Sequence, residues 1–398
     1  MWFDCHAIRT ALLFGFSLAL AIASSGCEKK SAGSTSGSEE VQSFDSSGWR
    51  IWRKNAEPNW KGELFGTSYL ASDPSVIRDG SIFRMYYTCL ATADDPADNG
   101  GFSAGICQVK SADGVNWSFG VSIDPNFKGV VLKGNANAWD THLETSSIIK
   151  DGSTYRLFYS GYKTPTDAND TRPASAVGMA SSSDGDVFTK ANGAVINPTA
   201  QGYDADDMFS PVAFFVGGLL RMIYVGWCID GTYANHDGLT CDHGAAIQLL
   251  GATRNTNGSW SKQVSPVISP TANPPWLRHG AAEPGVLVGP DGYIYLFITG
   301  GLGDDEPRVT GIARSRSTFD TWEISPEPIL KPDGRRGRFD SCGTFAPSVI
   351  LEQNVVKMWY LGLDDCDGTC SSCDFKACGC ETKFGIGYAE AKWPLHAD

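Results

Sequence analysis

Two carboxylates, Asp73 and Glu283, occupy the same place in a pattern that recurs along this chain, and segments just upstream of that place carry most of its other reactive groups. Trp139-Asp-Thr-His-Leu-Glu144 contributes Trp139, His142 and Glu144, Tyr203-Asp-Ala-Asp-Asp207 contributes Asp207, and the stretch from Trp276 to Glu283 contributes Trp276, Arg278 and His279. Carboxyl groups gathered from several repeats can exchange protons with a substrate, bind a hydroxyl-rich ligand, or satisfy turn amides. The histidines and Arg278 suit hydroxyls or carboxylates, with hydrogen-bonded structural histidines as the alternative. The tryptophans are either stacking platforms or core. Asp140, Asp204 and Asp340 each follow an aromatic residue and recur too regularly for catalysis; they are expected to pin the loop entering each repeat.

The elements that position these groups start with Ser72 to Thr88. Asp73-Pro74 opens a first strand with β-branched Val76 and Ile77, Asp79-Gly80 is a hairpin turn, and Phe83 to Tyr87 is an aromatic second strand. The pattern returns at Thr145, Ser210, Glu283 and Ala346, five copies in all. Each continues into a third strand of small alternating residues such as Ala176-Val-Gly-Met-Ala. The first four add a turn, an aromatic and a fourth strand, among them Gly129-Val-Val-Leu, Ala194-Val-Ile-Asn-Pro and Pro328-Ile-Leu-Lys-Pro. Four antiparallel strands repeated radially are propeller blades, so the expected fold is an all-β, five-bladed β-propeller in one domain. The fifth copy ends near Trp393, and the segment from Trp49 to Pro58 is expected to supply its outer strand and close the ring. Tight turns follow first and third strands, while long acidic loops join second to third strands, which places function where the first strands begin.

The pattern from Trp49 to Pro394 resembles the five-bladed β-propeller glycoside hydrolases, the group of families 43, 32 and 68 that includes arabinanases, xylosidases and invertases. Asp73-Pro74 resembles the first-blade aspartate–proline that supplies their base or nucleophile, and Glu283 resembles their acid glutamate. Asp207 lies between them in order, as does the third carboxylate of those families. Asp73 lacks the invertase-like Asn before it and Asn-Gly after Pro74, and Asp207 is not followed by Pro. The resemblance implies hydrolysis of glycosidic bonds in a polysaccharide or oligosaccharide, with Asp207 or Glu144 modulating the acid. One carboxyl must stay protonated and one ionised; a separation of roughly 5–5.5 Å fits retention and roughly 6.5–9.5 Å inversion. The competing reading is a non-catalytic surface protein that binds a glycan or a protein in the same funnel. Ser111-Ala-Asp-Gly-Val-Asn-Trp117 resembles the Asp-box of sialidases, but its glycine stands one place early, and it reads as a structural turn.

A net charge of −13 argues against nucleic acid as a partner and against a bare anionic membrane surface. Arg9, an apolar run from Ala11 to Ala23 and small residues before Cys27 form an export signal too short to span a bilayer. The small residues before Cys27 resemble a bacterial lipoprotein signal, which would place a lipid-anchored protein in the cell envelope, at the outer membrane or cell surface; simple secretion is the alternative. The expected organisation is a signal peptide over 1–27, a Ser/Gly-rich tether over 28–47 and the propeller over 48–398, acting as a monomer on carbohydrate. Ten cysteines follow Cys27, and an exported chain favours pairing them. Cys89 and Cys107 fall on neighbouring strands, Cys228 and Cys241 bracket one loop, and the last six are too crowded to assign or could hold zinc. No cofactor is expected. Asp304-Asp-Glu306 suggests at most a structural calcium, without the spacing of a calcium loop.

Overall fold

The computed structural model describes residues 44–55, 69–91, 104–125, 127–135, 138–163, 175–200, 202–228, 246–303, 306–333, 338–363 and 384–397. Strand β1 (Arg53–Lys54) comes first in the chain and belongs to the last blade. Blade I is built from β2 (Tyr69–Asp79), β3 (Ile82–Ala91), β4 (Ala104–Ser111), β5 (Ser118–Phe119) and β6 (Val130–Lys133). Blade II holds β7 (His142–Asp151), β8 (Thr154–Tyr162), β9 (Ala176–Ser182) and β10 (Thr189–Lys190); blade III holds β11 (Asp207–Val216), β12 (Leu219–Cys228), β13 (Ala246–Arg254) and β14 (Trp260–Lys262). Blade IV holds β15 (Ala282–Val288), β16 (Ile294–Gly300), β17 (Val309–Ser315) and β18 (Glu323–Ile324), and blade V holds β19 (Gly343–Glu352), β20 (Val355–Leu363) and β21 (Phe384–Lys392). The first strands β2, β7, β11, β15 and β19 each touch the first strands of both neighbouring blades, so they form the ring around the axis.

Ring closure follows the sequence expectation. β1 pairs antiparallel with β21, Arg53 opposite Glu390 and Lys54 opposite Ala389, which gives blade V its outer strand and covers an otherwise open edge. Outer strands elsewhere differ from expectation, because each is broken. A short piece pairs at the far end of the third strand, and the segment expected as the whole strand pairs again nearer its start: β6 with β4, Ile196 with Val177, Ile268 with Leu249 and Leu330 with Thr310.

The core lies between blades. Along a second strand, alternate side chains enter opposite seams: Met85 and Tyr87 pack with Trp359 and Tyr388 of blade V, while Tyr86 packs with Leu157 and Tyr159 of blade II. Both faces of these strands are buried, which explains their nearly continuous apolar runs. The recurring aspartates act as pins. Asp140 takes hydrogen bonds from Tyr159 (2.8 Å) and Lys190 (2.8 Å), Asp204 from Tyr224 (3.1 Å) and Lys262 (2.6 Å), and Asp340 from Tyr360 (3.0 Å) and Lys54 (2.6 Å). The Ser111-to-Trp117 turn is structural too: Asp113 accepts the amides of Val115 and Asn116, and the Gly114 carbonyl accepts the indole N–H of Trp359 from blade V. Those amides hold the Asp113 carboxyl far below its ordinary range.

Cys89 and Cys107 form a disulfide between β3 and β4, and Cys228 and Cys342 each take part in a separate disulfide. Cys27, Cys241 and the last five cysteines lie outside the described residues, as do the signal, the tether up to residue 43 and Asp304–Asp305. Among the described residues no helix is long and apolar enough to cross a membrane, and no group of three or more His, Cys, Asp or Glu side chains is placed to hold a metal.

Candidate active site on the propeller axis

Asp73-Pro74 does not open a strand; it interrupts one. In β2, Ser72 faces Thr88 and Ser75 faces Tyr86, so three steps on one strand match two on its partner and Asp73-Pro74 forms a β-bulge. The same bulge recurs between Glu144 and Ser147, Phe209 and Val212, Ala282 and Gly285, and Phe345 and Ser348. Proline suits it, since a bulge spares a ladder amide. The first bulge residue takes a positive φ in every blade: 49° at Asp73, 50° at Thr145, 48° at Ser210, 44° at Glu283 and 49° at Ala346. Such backbones cost roughly 1–3 kcal/mol each for non-glycine residues. Ala346 adopts the conformation without any functional group, so the strained bulge is scaffold and the side chain it carries is the variable.

Neighbouring blades hold the bulges in place. The amide of Thr145 donates to Thr88 Oγ1 (2.8 Å), that of Ser210 to Ser160 Oγ (3.0 Å) and Thr145 Oγ1 (3.1 Å), and that of Ala346 to Thr299 Oγ1 (3.1 Å). In the two seams leading into the carboxylate-bearing blades, the matching second-strand positions are aliphatic, Val225 before blade IV and Leu361 before blade I. Blades IV and V approach so closely that a Cβ on Gly285 would lie 2.3 Å from the Pro347 carbonyl oxygen, which restricts that position to glycine.

The five bulge residues and the residue after each line one axial pocket that opens to solvent. Its wall is asymmetric. Blades I and IV contribute Asp73 and Glu283, on either side of the small Ala346 of blade V; blades II and III contribute Thr145, Ser146 and Ser210. Both carboxylates are buried, at 5 % and 4 % exposure. Asp73 Oδ2 accepts from Ser72 Oγ at 2.7 Å and Glu283 Oε2 from Thr299 Oγ1 at 3.2 Å. Burial, reinforced by the negative charge of Asp73, pushes the Glu283 carboxyl up to about 7, against smaller opposing effects of the Thr299 hydroxyl and the Arg308 guanidinium. One pocket thus pairs a carboxyl that burial keeps protonated near neutrality with a second carboxylate close enough to reinforce that retention.

The other expected site residues are not among the described residues that line this pocket. Asp207 begins β11, three residues before the bulge, and accepts the amides of Ser175 (2.8 Å) and Met208 (2.9 Å); the blade III counterpart of Asp73 is Ser210. Glu144 is buried one residue before the blade II bulge, takes a hydrogen bond from Tyr162, and does not line the pocket. His142 stacks on that same Tyr162, with ring centroids 5.1 Å apart. Trp139 stacks on Tyr159 at 6.3 Å against the blade II core. Trp276 is no exposed platform: it is 7 % exposed, donates its indole N–H to the Ser325 carbonyl (3.1 Å) and covers Gly311, where a Cβ would meet the ring at 2.1 Å. Arg278 and His279 are exposed, and His279 Nδ1 lies 3.0 Å from Glu306 Oε2. Sequence reasoning passed over Ser146 and Ser210. Their signal was available, since Ser146 stands where the four other copies have proline.

No family model and no curated protein matches the chain. Solved structures do share its fold. A thermostable family-43 glycoside hydrolase superposes with a TM-score of 0.57 at 16 % identity, covering 86 % of this chain and 97 % of the other. A family 117 glycoside hydrolase of the marine bacterium Zobellia galactanivorans reaches 0.60 at 14 % identity, covering 89 % and 94 %. The β-1,2-mannobiose phosphorylase of Listeria innocua, in complex with β-1,2-mannobiose, reaches 0.58 at 12 % identity, covering 86 % and 96 %. The chain therefore has the five-bladed propeller architecture found in glycoside hydrolases, and at these identities the likeness is one of fold.

Proposed function

We propose that the protein is an exported glycoside hydrolase that cleaves glycosidic bonds of a polysaccharide or oligosaccharide in its axial pocket. The observation that carries this reading is the pairing of Asp73 and Glu283 at equivalent bulges of one pocket, with Glu283 held protonated up to about pH 7. Glu283 serves as the acid that protonates the leaving oxygen, and Asp73 as the base or nucleophile on the other side of the bond. Asp207 and Glu144 support the loops and strand around the pocket. The likeness in fold to carbohydrate-processing enzymes supports a carbohydrate partner. Export follows from the N-terminal signal, with lipidation at Cys27 as the proposed anchor and residues 28–47 as the tether.

The test is release of sugar by the purified protein lacking residues before Ser46 from a panel of aryl glycosides and polysaccharides. Release that falls at least 100-fold in both Asp73→Asn and Glu283→Gln is expected, since acid–base groups contribute about 10²–10⁴-fold. Binding without release, or release indifferent to both variants, overturns the hydrolase reading and leaves a glycan- or protein-binding propeller.

A further inference from the structure

Blade II carries three consecutive hydroxyls at its bulge, and two of them are used by the scaffold. Thr145 Oγ1 lies 2.5 Å from Ser160 Oγ and accepts the Ser210 amide, while Ser147 Oγ accepts the Ala213 amide at 2.9 Å. Ser146, between them, replaces the proline of the other four blades. Ser146 lines the axial pocket, and its Oγ is buried without a hydrogen-bond partner among the described residues. The same holds for Ser210 Oγ of blade III, the counterpart of Asp73; each serine is 7 % exposed. Two buried hydroxyls without partners, on the neighbouring blades II and III of a pocket that also holds two carboxylates, are costly to the fold unless something in the pocket completes them.

We propose that Ser146 and Ser210 are the ligand-holding half of the axial pocket and hydrogen-bond the hydroxyls of one neutral sugar residue. The proposal rests on reading the pocket as a glycan site. A serine hydroxyl both donates and accepts, which matches a sugar hydroxyl of either orientation. Among the described residues that line the pocket none is lysine, arginine or histidine, and Asp73 and Glu283 face a uronate unfavourably, so this wall favours a neutral sugar. Serine at position 146 also exchanges a scaffold proline for binding capacity, the usual trade of stability against function.

The experiment titrates L-arabinose, D-xylose and D-galactose, with D-galacturonate and D-glucuronate as anionic counterparts, into the wild type, Ser146→Ala and Ser210→Ala, by ligand-observed NMR and calorimetry. Free monosaccharides are not turned over, so binding is read apart from hydrolysis: binding without turnover on glycosides removes the hydrolase reading and keeps this one. At least one neutral sugar is expected to bind saturably, with Kd raised about 3- to 10-fold in each variant, the worth of one hydrogen bond. The ligand-free variants are expected to melt at or above the wild-type temperature. Preference for the uronates, wild-type affinity in both variants, no binding of any monosaccharide, or a lowered ligand-free melting temperature that marks the hydroxyls as structural would each overturn the proposal.

Discussion

Glu283 and Asp73 stand at the same bulge position of blades IV and I, separated around the ring by Ala346 of blade V, and the charge of Asp73 helps hold the Glu283 proton. Because the folded-state value of Glu283, about 7, lies above its ordinary 4.5, the folded protein binds the extra proton between those limits. Its contribution to stability is full below about pH 4.5 and is lost as pH rises through 7, amounting to about 3 kcal/mol over that window. Urea denaturation from pH 4 to 8 is expected to show this decline in the wild type and not in Glu283→Gln.

Asp73→Asn removes the neighbouring charge, so Glu283 is expected to release its proton at lower pH. The decline in stability then moves to lower pH and shrinks, leaving the part due to burial. An unchanged pH dependence in Asp73→Asn would show that the two carboxyls do not interact.

The pin at Asp204 gathers the Thr199 amide (2.9 Å), the Tyr224 hydroxyl and the Lys262 ammonium around a side chain only 2 % exposed. Asp204→Ala leaves a buried phenol and a half-buried ammonium without their acceptor and is expected to cost about 3 kcal/mol. Turnover per folded molecule should stay within about twofold of wild type, because the pin lies outside the axial pocket. Equilibrium unfolding alongside the glycosidase assay separates the two effects.

The Cys89–Cys107 disulfide closes a loop of 18 residues, which in the chain-entropy account stabilises the fold by about 3 kcal/mol. Cys89→Ala with Cys107→Ala is expected to lower the urea midpoint accordingly while the second and third strands of blade I stay paired, as hydrogen exchange of the Met85 and Val109 amides would report.

Ring closure by β1 predicts a sharp boundary for truncation. Removal of residues 1–43 should leave the melting temperature unchanged. Removal through Asn55 takes away the buried Trp49 and uncovers the β21 edge, and should lower the melting temperature and yield edge-paired aggregates visible by light scattering.

The amino-acid sequence by itself determined the architecture. Five echoes of Ser72 to Thr88, with their Asp-Gly turns and small third strands, specify five blades because hairpin chemistry and alternating burial are local properties. The closing strand at Arg53–Lys54 and the pinning role of Asp140, Asp204 and Asp340 were legible for the same reason: each recurs in register with its blade. The site was legible in part. Asp73 and Glu283 shared a repeat position, but Asp207 was expected beside them as a modulating carboxylate, and Ser146 and Ser210 were not among the expected site residues. Tertiary structure separated them through the bulge, which exists only when one strand is counted against its partner and so leaves no mark on a single strand's periodicity. That extra residue aims Asp73, Ser210 and Glu283 at the axis while Asp207, three residues before Ser210, accepts the amides of Ser175 and Met208. Burial, which depends on how five blades meet, then pushes the Glu283 carboxyl up.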